Sequence, residues 1–343
     1  MNAEPEFGPD LLRIDARREI DAIVKATRDA LRGPLRKRGL VIGISGGIDS
    51  SVTAALCVEA VGRDRVIGLQ MPERNSAGDT MALSTLIADH LGLIRVPLDI
   101  TPILEAVGYY DKYDDTVRSI LPEYGRDWKS KIVVSDATEG RSFAFFSVVA
   151  AAPDGRTVRR RLELQAYLEI VACTNFKQRI RKMLEYYHAD RHNFAVAGSP
   201  NRLEFDQGFF VKLGDGAADL KPIAHLYKSQ VYQLARTLGL PEAIILRPPT
   251  TDTYSLPQGQ DEFFFSIPYE QMDLCLYGKN HGFSVEAVSR QAGLSVDQVQ
   301  AVYQDISRKR VATRYLHLPP LLVADVPELG REGTAEAVRG AEK

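Results

Sequence analysis

The segment that most constrains the fold of this chain is an apolar run that ends in a small polar loop. Residues 40–44 are apolar or glycine, Ser45 and two glycines follow, and residues 48–53 resume with the spacing of a helix. Such a run suits a buried parallel strand, and Asp49 and Ser50 stand where helix capping is expected. The pattern predicts a strand, a tight turn and a helix N-terminus, an arrangement that binds phosphate.

The residue types of the loop suit a polyphosphate. The glycines let the backbone turn sharply, so that main-chain N–H groups at the positive end of a helix dipole face an anion. The hydroxyls of Ser45, Ser50 and Ser51 can donate hydrogen bonds to phosphate oxygens. A carboxylate beside a polyphosphate is repelled unless a cation lies between them, so we interpret Asp49 as a Mg²⁺ ligand. The loop is not a Walker loop, because it lacks that spacing and its lysine.

Composition favours a cytoplasmic enzyme. The 343-residue chain has a formal net charge of −2 and therefore no general basic field for nucleic acid. No apolar run is long enough to span a bilayer, and the acidic N-terminus does not resemble a signal peptide. We expect no nucleic-acid or membrane partner. Cys57, Cys173 and Cys275 are odd in number and widely separated, which predicts reduced core residues.

The order of the elements along the chain predicts an α/β fold. Apolar runs alternate with helix-like segments, which is typical of a doubly wound, Rossmann-like parallel sheet with its ligand at the carboxyl ends of the strands. The predicted strands are residues 40–44, 66–71, 94–98 and 193–197, and the predicted helices are residues 9–32, 50–61 and 79–91.

Residues 131–164 break this alternation. Two stretches rich in Val and Phe, at 132–134 and 143–149, precede a Pro-Asp-Gly turn at 153–155, and a return arm follows at 157–164. This order predicts an inserted β-hairpin or small meander. Its four arginines could bind phosphate or keep an edge strand soluble, and we favour the second reading. These arginines are Arg156, Arg159, Arg160 and Arg161. We expect one domain over residues 1–318, with the insertion at about 108–164, and a partly disordered tail at 319–343.

Several blocks of the sequence resemble a known family. Residues 45–50 resemble the SGGxDS loop of the N-type ATP pyrophosphatases, whose fold is that of the adenine nucleotide alpha hydrolases. Other blocks resemble the ammonia-dependent NAD synthetases, in order and spacing, over roughly residues 18–313 outside 108–164. These blocks are residues 175–181, 198–204, 208–219, 221–223, 226–230, 249–252, 260–262, 269–273 and 308–310.

The resemblance implies roles for single residues. Asp49 and Glu204 would hold Mg²⁺, and Asp49, Lys228 and Asp219 would serve catalysis. Asp219 or, as the alternative, Asp215 would help to deprotonate or guide ammonia. The implied ATP contacts are Gly43, Ile44, Ser45, Gly46, Gly47, Ile48, Asp49, Ser50, Ser51, Ser199, Lys228 and Thr250. The implied contacts to deamido-NAD are Arg179, Lys212, Asp219, Arg308 and Lys309.

The resemblance also implies a reaction. It is the ATP-dependent amidation of deamido-NAD by ammonia, through an acyl adenylate, with NAD, AMP and pyrophosphate as products. About 40 residues precede the loop, too few for the nitrilase-like domain of glutamine-using members, so free ammonia or a separate glutaminase is the expected nitrogen source. The family implies a homodimer, with the helices at 18–30 and 176–188 as candidate interface elements.

Departures from the family pattern leave an alternative open. Arg308 replaces a histidine of the family, Val211 and Ser199 replace threonines, and the 131–164 segment is longer than usual. A related adenylating amide ligase that acts on a different carboxylate would keep Asp49, Glu204 and Lys228 but differ in the residues that bind the carboxylate substrate. A nucleotide-binding regulator without activity would instead be expected to have lost Asp49 or Glu204.

Overall fold

The computed structural model describes residues 7–134, 146–251, 253–324 and 326. Its strands are β1 (Leu40–Gly43), β2 (Val66–Gln70), β3 (Ile94–Pro97), β4 (Lys129–Val134), β5 (Phe146–Ala151), β6 (Thr157–Arg161) and β7 (Ala195–Val196). Its α-helices are α1 (Ala16–Arg32), α2 (Ile48–Val61), α3 (Thr80–Leu91), α4 (Thr101–Ala106), α5 (Tyr109–Ile120), α6 (Leu164–His192), α7 (Arg202–Gln207), α8 (Lys228–Thr237), α9 (Glu242–Ile245), α10 (Tyr269–Asn280), α11 (Val285–Ala292) and α12 (Val296–Thr313). Short turns of 3₁₀-helix lie at Pro9–Leu12, Arg63–Arg65 and Arg314–His317, and one turn of π-helix lies at Asp261–Phe265.

A four-stranded parallel sheet forms the centre of the fold, in the order β3-β2-β1-β7. Helices cover both of its faces. Leu40 and Ile42 pack on one side with α1, α2 and α8, whereas Val41 packs on the other side with α5 and α6. Because both faces of β1 are buried, its sequence is a continuous apolar run rather than an alternating one. The predicted doubly wound parallel sheet is confirmed.

Two predicted helix starts were wrong. The helix predicted from residue 9 is divided into the 3₁₀ turn and α1, because the Asp15 side chain accepts the N–H of Arg18 and caps a new helix at Ala16. The α2 helix begins at Ile48 rather than at residue 50, with Gly47 as its N-cap. The loop therefore uses fewer residues than the sequence predicted.

The predicted meander is a three-stranded antiparallel sheet in the order β4-β5-β6. Its central strand, β5, is the most buried of the three. Arg159, Arg160 and Arg161 are exposed on the edge strand β6, which supports their reading as edge protection. Residues 143–145, which the sequence placed in the second strand, lie outside the described residues.

Helices α10 to α12 pack together around a separate apolar cluster that includes Met272, Cys275 and Val299. Of the tail that was predicted to be disordered, only residues 319–324 and 326 are described. The helices in the described ranges are each too short or too polar to cross a bilayer.

Candidate active site

The polar loop between β1 and α2 lies at the carboxyl ends of the parallel strands. A cavity of about 460 Å³ opens at this edge and is lined by every loop residue from Gly43 to Ser50 except Gly46. Gly46 has a φ of 72°, and a Cβ atom there would lie 2.6 Å from the Cβ of Leu83 on α3. Gly46 therefore allows the turn and the close packing of α3, whereas Gly47 faces the cavity.

The three serines of the loop have different roles. Ser45 Oγ lies 3.2 Å from Ser50 Oγ and accepts the N–H of Gly47 at 3.3 Å. Both hydroxyls line the cavity and can reorient towards a ligand. Ser51 is fully buried, and its hydroxyl donates to the carbonyl of Gly47 at 2.7 Å. Ser51 thus supports the loop from behind.

Lys228, the first residue of α8, reaches into the same cavity and donates a hydrogen bond to Asp49 Oδ2. The lysine side chain is 2% exposed and that of Asp49 is 16% exposed. Burial disfavours the lysine's charge, but the carboxylates of Asp49 and Glu204 outweigh burial, and the pKa of Lys228 is raised. Asp273 on α10 fixes the start of α8, because its carboxylate accepts the N–H of Lys228 at 3.2 Å and that of Ser229 at 2.7 Å.

Glu204 faces Asp49 across Asn201. The Asn201 side chain donates to Asp49 Oδ1 at 3.1 Å, and its backbone N–H donates to Glu204 Oε2 at 3.0 Å. Gln260 donates to the other oxygen of Glu204 at 2.9 Å. Burial and the nearby charge of Asp49 raise the pKa of Glu204 to about 8. Two acids that repel each other in this way suit a hard divalent cation, which is held by oxygen ligands.

A second charged group lies on the wall formed by α6. Lys182 Nζ donates to Glu185 Oε2 at 2.5 Å, and both side chains are buried and line the cavity. Asp215 also lines the cavity, and burial raises the pKa of its carboxyl group. One oxygen of Asp215 accepts the N–H of Val211 at 2.7 Å, which holds the carboxylate in place.

The structure brings together the residues predicted for ATP, with two exceptions. Ser199, Lys228 and Thr250 line the cavity together with the loop, whereas Gly46 and Ser51 lie behind it. Of the two residues predicted to hold metal, both Asp49 and Glu204 are cavity residues.

The residues predicted for deamido-NAD do not line this cavity. Arg179 donates to the carbonyl of Lys212 at 3.4 Å, and Lys212 Nζ donates to the carbonyl of Tyr315 at 2.7 Å, both on the outside of the molecule. Asp219 accepts the backbone N–H of Val196 at 2.8 Å, which ties it to the end of β7. Arg308 is exposed on α12.

Lys309, the fifth residue of this group, pairs with Asp305 at 2.6 Å and lies over the ring of Phe264. Burial lowers the pKa of Lys309. The roles assigned to these five residues stay predictions.

Sequence reasoning missed Arg247, which braces the loop. Its guanidinium donates to the carbonyl of Ser45 at 3.1 Å, to Asp79 at 3.0 Å and to Thr80 at 3.2 Å. Arg247 therefore joins the loop between β1 and α2 to the start of α3. Its position directly before the Pro-Pro-Thr block that ends in Thr250 was the only signal in the sequence.

The sheet and the loop together define the class of this protein, an α/β ATP pyrophosphatase of the N type. The model of the NAD synthase family matches residues 19–123 and 150–314, well over half of the chain. The chain belongs to the NAD synthase family.

Individual relatives agree with this assignment. The chain is 55% identical over 334 residues to the NH(3)-dependent NAD(+) synthetase of Rhizobium meliloti, a match that covers 96% of this chain and 100% of the relative. It resembles the solved NAD+ synthetase of Burkholderia pseudomallei with a TM-score of 0.54 and 26% identity, over 90% of this chain and 92% of that one. The NMN synthetase of Francisella tularensis shares the fold, with a TM-score of 0.63 and 22% identity over 91% of this chain and 100% of that one.

Proposed function

We propose that this chain catalyses the ATP-dependent amidation of deamido-NAD by ammonia, with NAD, AMP and pyrophosphate as products. The observation that carries the proposal is the convergence of the loop, Lys228, Asp49 and Glu204 on one cavity. Membership of the family and the relative in Rhizobium meliloti, which is named for the same activity, support it.

The chemistry follows from the substrate's carboxylate, which is a poor electrophile. An oxygen of the carboxylate attacks the α-phosphorus of ATP, the bond to the bridging oxygen breaks, and pyrophosphate leaves. Ammonia then attacks the acyl carbon of the adenylate, AMP departs with the former carboxylate oxygen, and a proton is lost from nitrogen. No side chain has to form a covalent bond, so positioning and electrostatics carry the catalysis, and positioning alone can remove about 7–11 kcal/mol of barrier.

Lys228 and the loop provide the positive potential for the first step. The substrate carboxylate and the triphosphate are both anions, and their repulsion falls when Lys228 and the N–H groups at the start of α2 face the phosphates. Binding of ATP would compete with Asp49 for the lysine, because the two now form a hydrogen-bonded ion pair. Arg247 would keep the loop in place during this exchange.

Asp49 and Glu204 would hold Mg²⁺. Burial and repulsion from Asp49 raise the pKa of Glu204 to about 8, and a cation between the two acids would offset both effects. Among the described residues no third acidic, histidine or cysteine side chain joins them, so further oxygen ligands would come from the phosphates or from water. When bound, Mg²⁺ would neutralise charge on the triphosphate. Asn201 would orient Asp49 for this task.

The second step needs NH₃ rather than NH₄⁺. Asp219 was the acid predicted to help, with Asp215 as the other candidate. Asp215 lines the cavity and has a raised pKa, so we propose Asp215 as the group that accepts or guides the proton.

The proposal also covers the assembly and the nitrogen source. We propose a cytoplasmic homodimer in which both subunits supply substrate residues. The nitrogen would come from free ammonia or from a separate glutaminase.

A different carboxylate substrate is the second candidate, and one contact favours keeping it. Phe146 at the start of β5 in the insertion stacks on Tyr167 of α6, with ring centroids 4.2 Å apart, and both residues line the cavity. The insertion thus forms part of the cavity wall beside α6. A smaller acid such as nicotinate mononucleotide would use the same ATP chemistry.

One set of assays tests both candidates. Deamido-NAD, ATP, Mg²⁺ and ammonium are incubated at mildly alkaline pH while AMP and the amide are measured, with glutamine instead of ammonium in a parallel reaction. Formation of NAD in the reaction with ammonium, but not in the reaction with glutamine, supports the proposal. Pyrophosphate release with nicotinate mononucleotide, without any turnover of deamido-NAD, would replace the proposed substrate by the second candidate. The variant Asp49→Asn serves as the inactive control.

A further inference from the structure

The insertion contacts a loop that carries cavity residues. We call residues 250–251 and 253–262 the cavity loop, since Thr250, Thr251, Thr253 and Gln260 all line the cavity. Among the described strands, the first strand of the insertion, β4, is paired with β5 alone, along one edge. The cavity loop lies along its other edge.

Main-chain groups of β4 bond directly to the cavity loop. The N–H of Ser130 donates to the hydroxyl of Ser255 at 2.8 Å, and the carbonyl of Ser130 accepts the N–H of Leu256 at 3.2 Å. The side-chain amide of Gln258, which is buried, donates to the carbonyl of Ile132 at 2.5 Å. The loop thereby satisfies polar groups that an edge strand would otherwise expose.

Lys131 adds a charged clamp at the same place. Its ammonium group donates to the carbonyl of Pro257 at 3.0 Å and to Glu262 at 2.6 Å. The lysine side chain is only 16% exposed. Charge-assisted hydrogen bonds of a largely desolvated lysine are stronger than those of neutral groups.

The cavity loop also contacts Glu204, one of the two acids that would hold the metal. Gln260 lies between Gln258 and Glu262, the two residues that β4 holds, and donates to Glu204. The N-terminal part of the cavity loop is held through the same residue, because Thr251 donates its N–H to the carbonyl of Gln258 at 3.1 Å. The placement of β4 therefore fixes both arms of the loop.

We propose that β4 is a positioning element of the active site, which holds the cavity loop in the arrangement that joins Gln260 to Glu204 before any substrate binds. Lys131 and Gln258 are its positioning residues. The β4 strand lies outside both stretches matched by the family model, so these contacts are not part of the pattern that the model describes. The inference rests on the proposed function only for its predicted effect on ATP binding.

Amide hydrogen exchange of residues 253–262, in protein without ligands, tests the inference directly. In Lys131→Met, loss of one charge-assisted clamp should make this segment exchange about tenfold faster. Gln258→Leu should accelerate it as well, and Lys131→Arg should restore slow exchange. The matched control is Lys129→Met, which removes an exposed lysine from the same strand and should leave exchange unchanged.

Kinetics then separate positioning from general stability. Lys131→Met should raise the KM for ATP several-fold and leave kcat nearly unchanged, since bound nucleotide restores the loop. Unchanged exchange in both Lys131→Met and Gln258→Leu, or equal acceleration in the Lys129→Met control, would overturn the inference. The exchange measurement uses no substrate, so it stands even if the wild-type protein made no NAD. In that case the proposed function alone would fall.

Discussion

The ammonium group of Lys228 donates to Asp49 Oδ2 in a place where the lysine side chain is 2% exposed. Asp49 comes from the first turn of α2 and Lys228 from the first turn of α8, so the pair joins two helix N-termini at one cavity. Each group neutralises the charge of the other.

The first prediction concerns this pair. Asp49→Asn should fold but lose adenylation by about 10²–10³-fold, because the amide keeps the shape of the side chain and loses its charge. Pyrophosphate exchange measures the loss. The double variant Asp49→Asn/Lys228→Met should be less active than Asp49→Asn alone, since Lys228 would stabilise the phosphates separately from the metal that Asp49 holds. Asp64→Asn, at a fully exposed carboxylate, is the control. Full turnover by Asp49→Asn would refute the role of Asp49.

The sequence predicted those parts of the site that are local in the chain. The order strand, glycine turn and helix places Gly47 and Asp49 at the carboxyl edge of the sheet, and only the parallel alternation was needed to infer it. Glu204 and Lys228 were predicted through the family resemblance, because no local pattern shows that α7 and α8 begin at the cavity where β1 ends.

Other parts could not be predicted because they depend on tertiary contacts. Asn201 was within a recognised block, yet its bridge between Asp49 and Glu204 exists only once α7 packs near α2. Arg247 follows a short helix with no motif of its own. The edge of β4 is covered by a loop more than one hundred residues away in sequence, a pairing that period-2 patterns do not encode.

The second prediction concerns Arg247. Arg247→Lys should raise the KM for ATP about tenfold and change kcat less, because one ammonium group cannot reach Ser45, Asp79 and Thr80 in the geometry of the guanidinium. Steady-state kinetics with varied ATP measure the effect. Arg236→Lys on the exposed side of α8 should behave like the wild type. An unchanged KM would show that the loop keeps its position without this brace.

The third prediction concerns a buried ion pair that supports the site. Lys177 Nζ donates to Glu73 Oε1 at 2.6 Å, and the two side chains are 1% and 0% exposed. Tyr110 donates to the other oxygen of Glu73, and Lys177 also donates to the carbonyl of Thr253 in the cavity loop. Removing one partner of such a pair leaves an uncompensated charge, so Glu73→Gln should lower the free energy of unfolding by about 3–5 kcal/mol at pH 7.

The pH dependence of that loss has a definite sign. Burial acts to raise the pKa of Glu73, but Lys177 outweighs burial and the pKa is lowered from 4.5. A lowered carboxyl pKa stabilises the fold above the unfolded value and loses this effect as pH falls through the folded value. Urea unfolding should therefore show the gap between wild type and Glu73→Gln narrowing below about pH 4.5. Glu105→Gln, in a half-exposed pair with Arg74, should cost about 1 kcal/mol or less. If the difference in unfolding free energy between wild type and Glu73→Gln widened in acid, the lowered pKa of Glu73 would be contradicted.

The last prediction separates the two glycines of the loop. Gly46 has a φ of 72°, and an added Cβ would lie 2.6 Å from Leu83 Cβ and 2.9 Å from the backbone nitrogen of Ser84. Gly46→Ala should therefore destabilise the fold by about 2 kcal/mol or more, through the left-handed backbone and a clash with α3. At Gly47 the φ is −82°, and the nearest atom to a Cβ is the rotatable hydroxyl of Ser45 at 3.3 Å.

Gly47→Ala should leave the free energy of unfolding within about 0.5 kcal/mol of the wild type, because the rotatable hydroxyl of Ser45 can move aside for its methyl group. It should still weaken ATP binding, since the methyl group projects where the backbone must approach a phosphate. Thermal unfolding with and without Mg-ATP distinguishes the two effects. Gly46→Ala should lower Tm in both conditions, whereas Gly47→Ala should lose only the increase that the nucleotide gives. Equal loss of Tm without nucleotide in both variants would mean that Gly47, too, is required by the fold and is not reserved for the ligand.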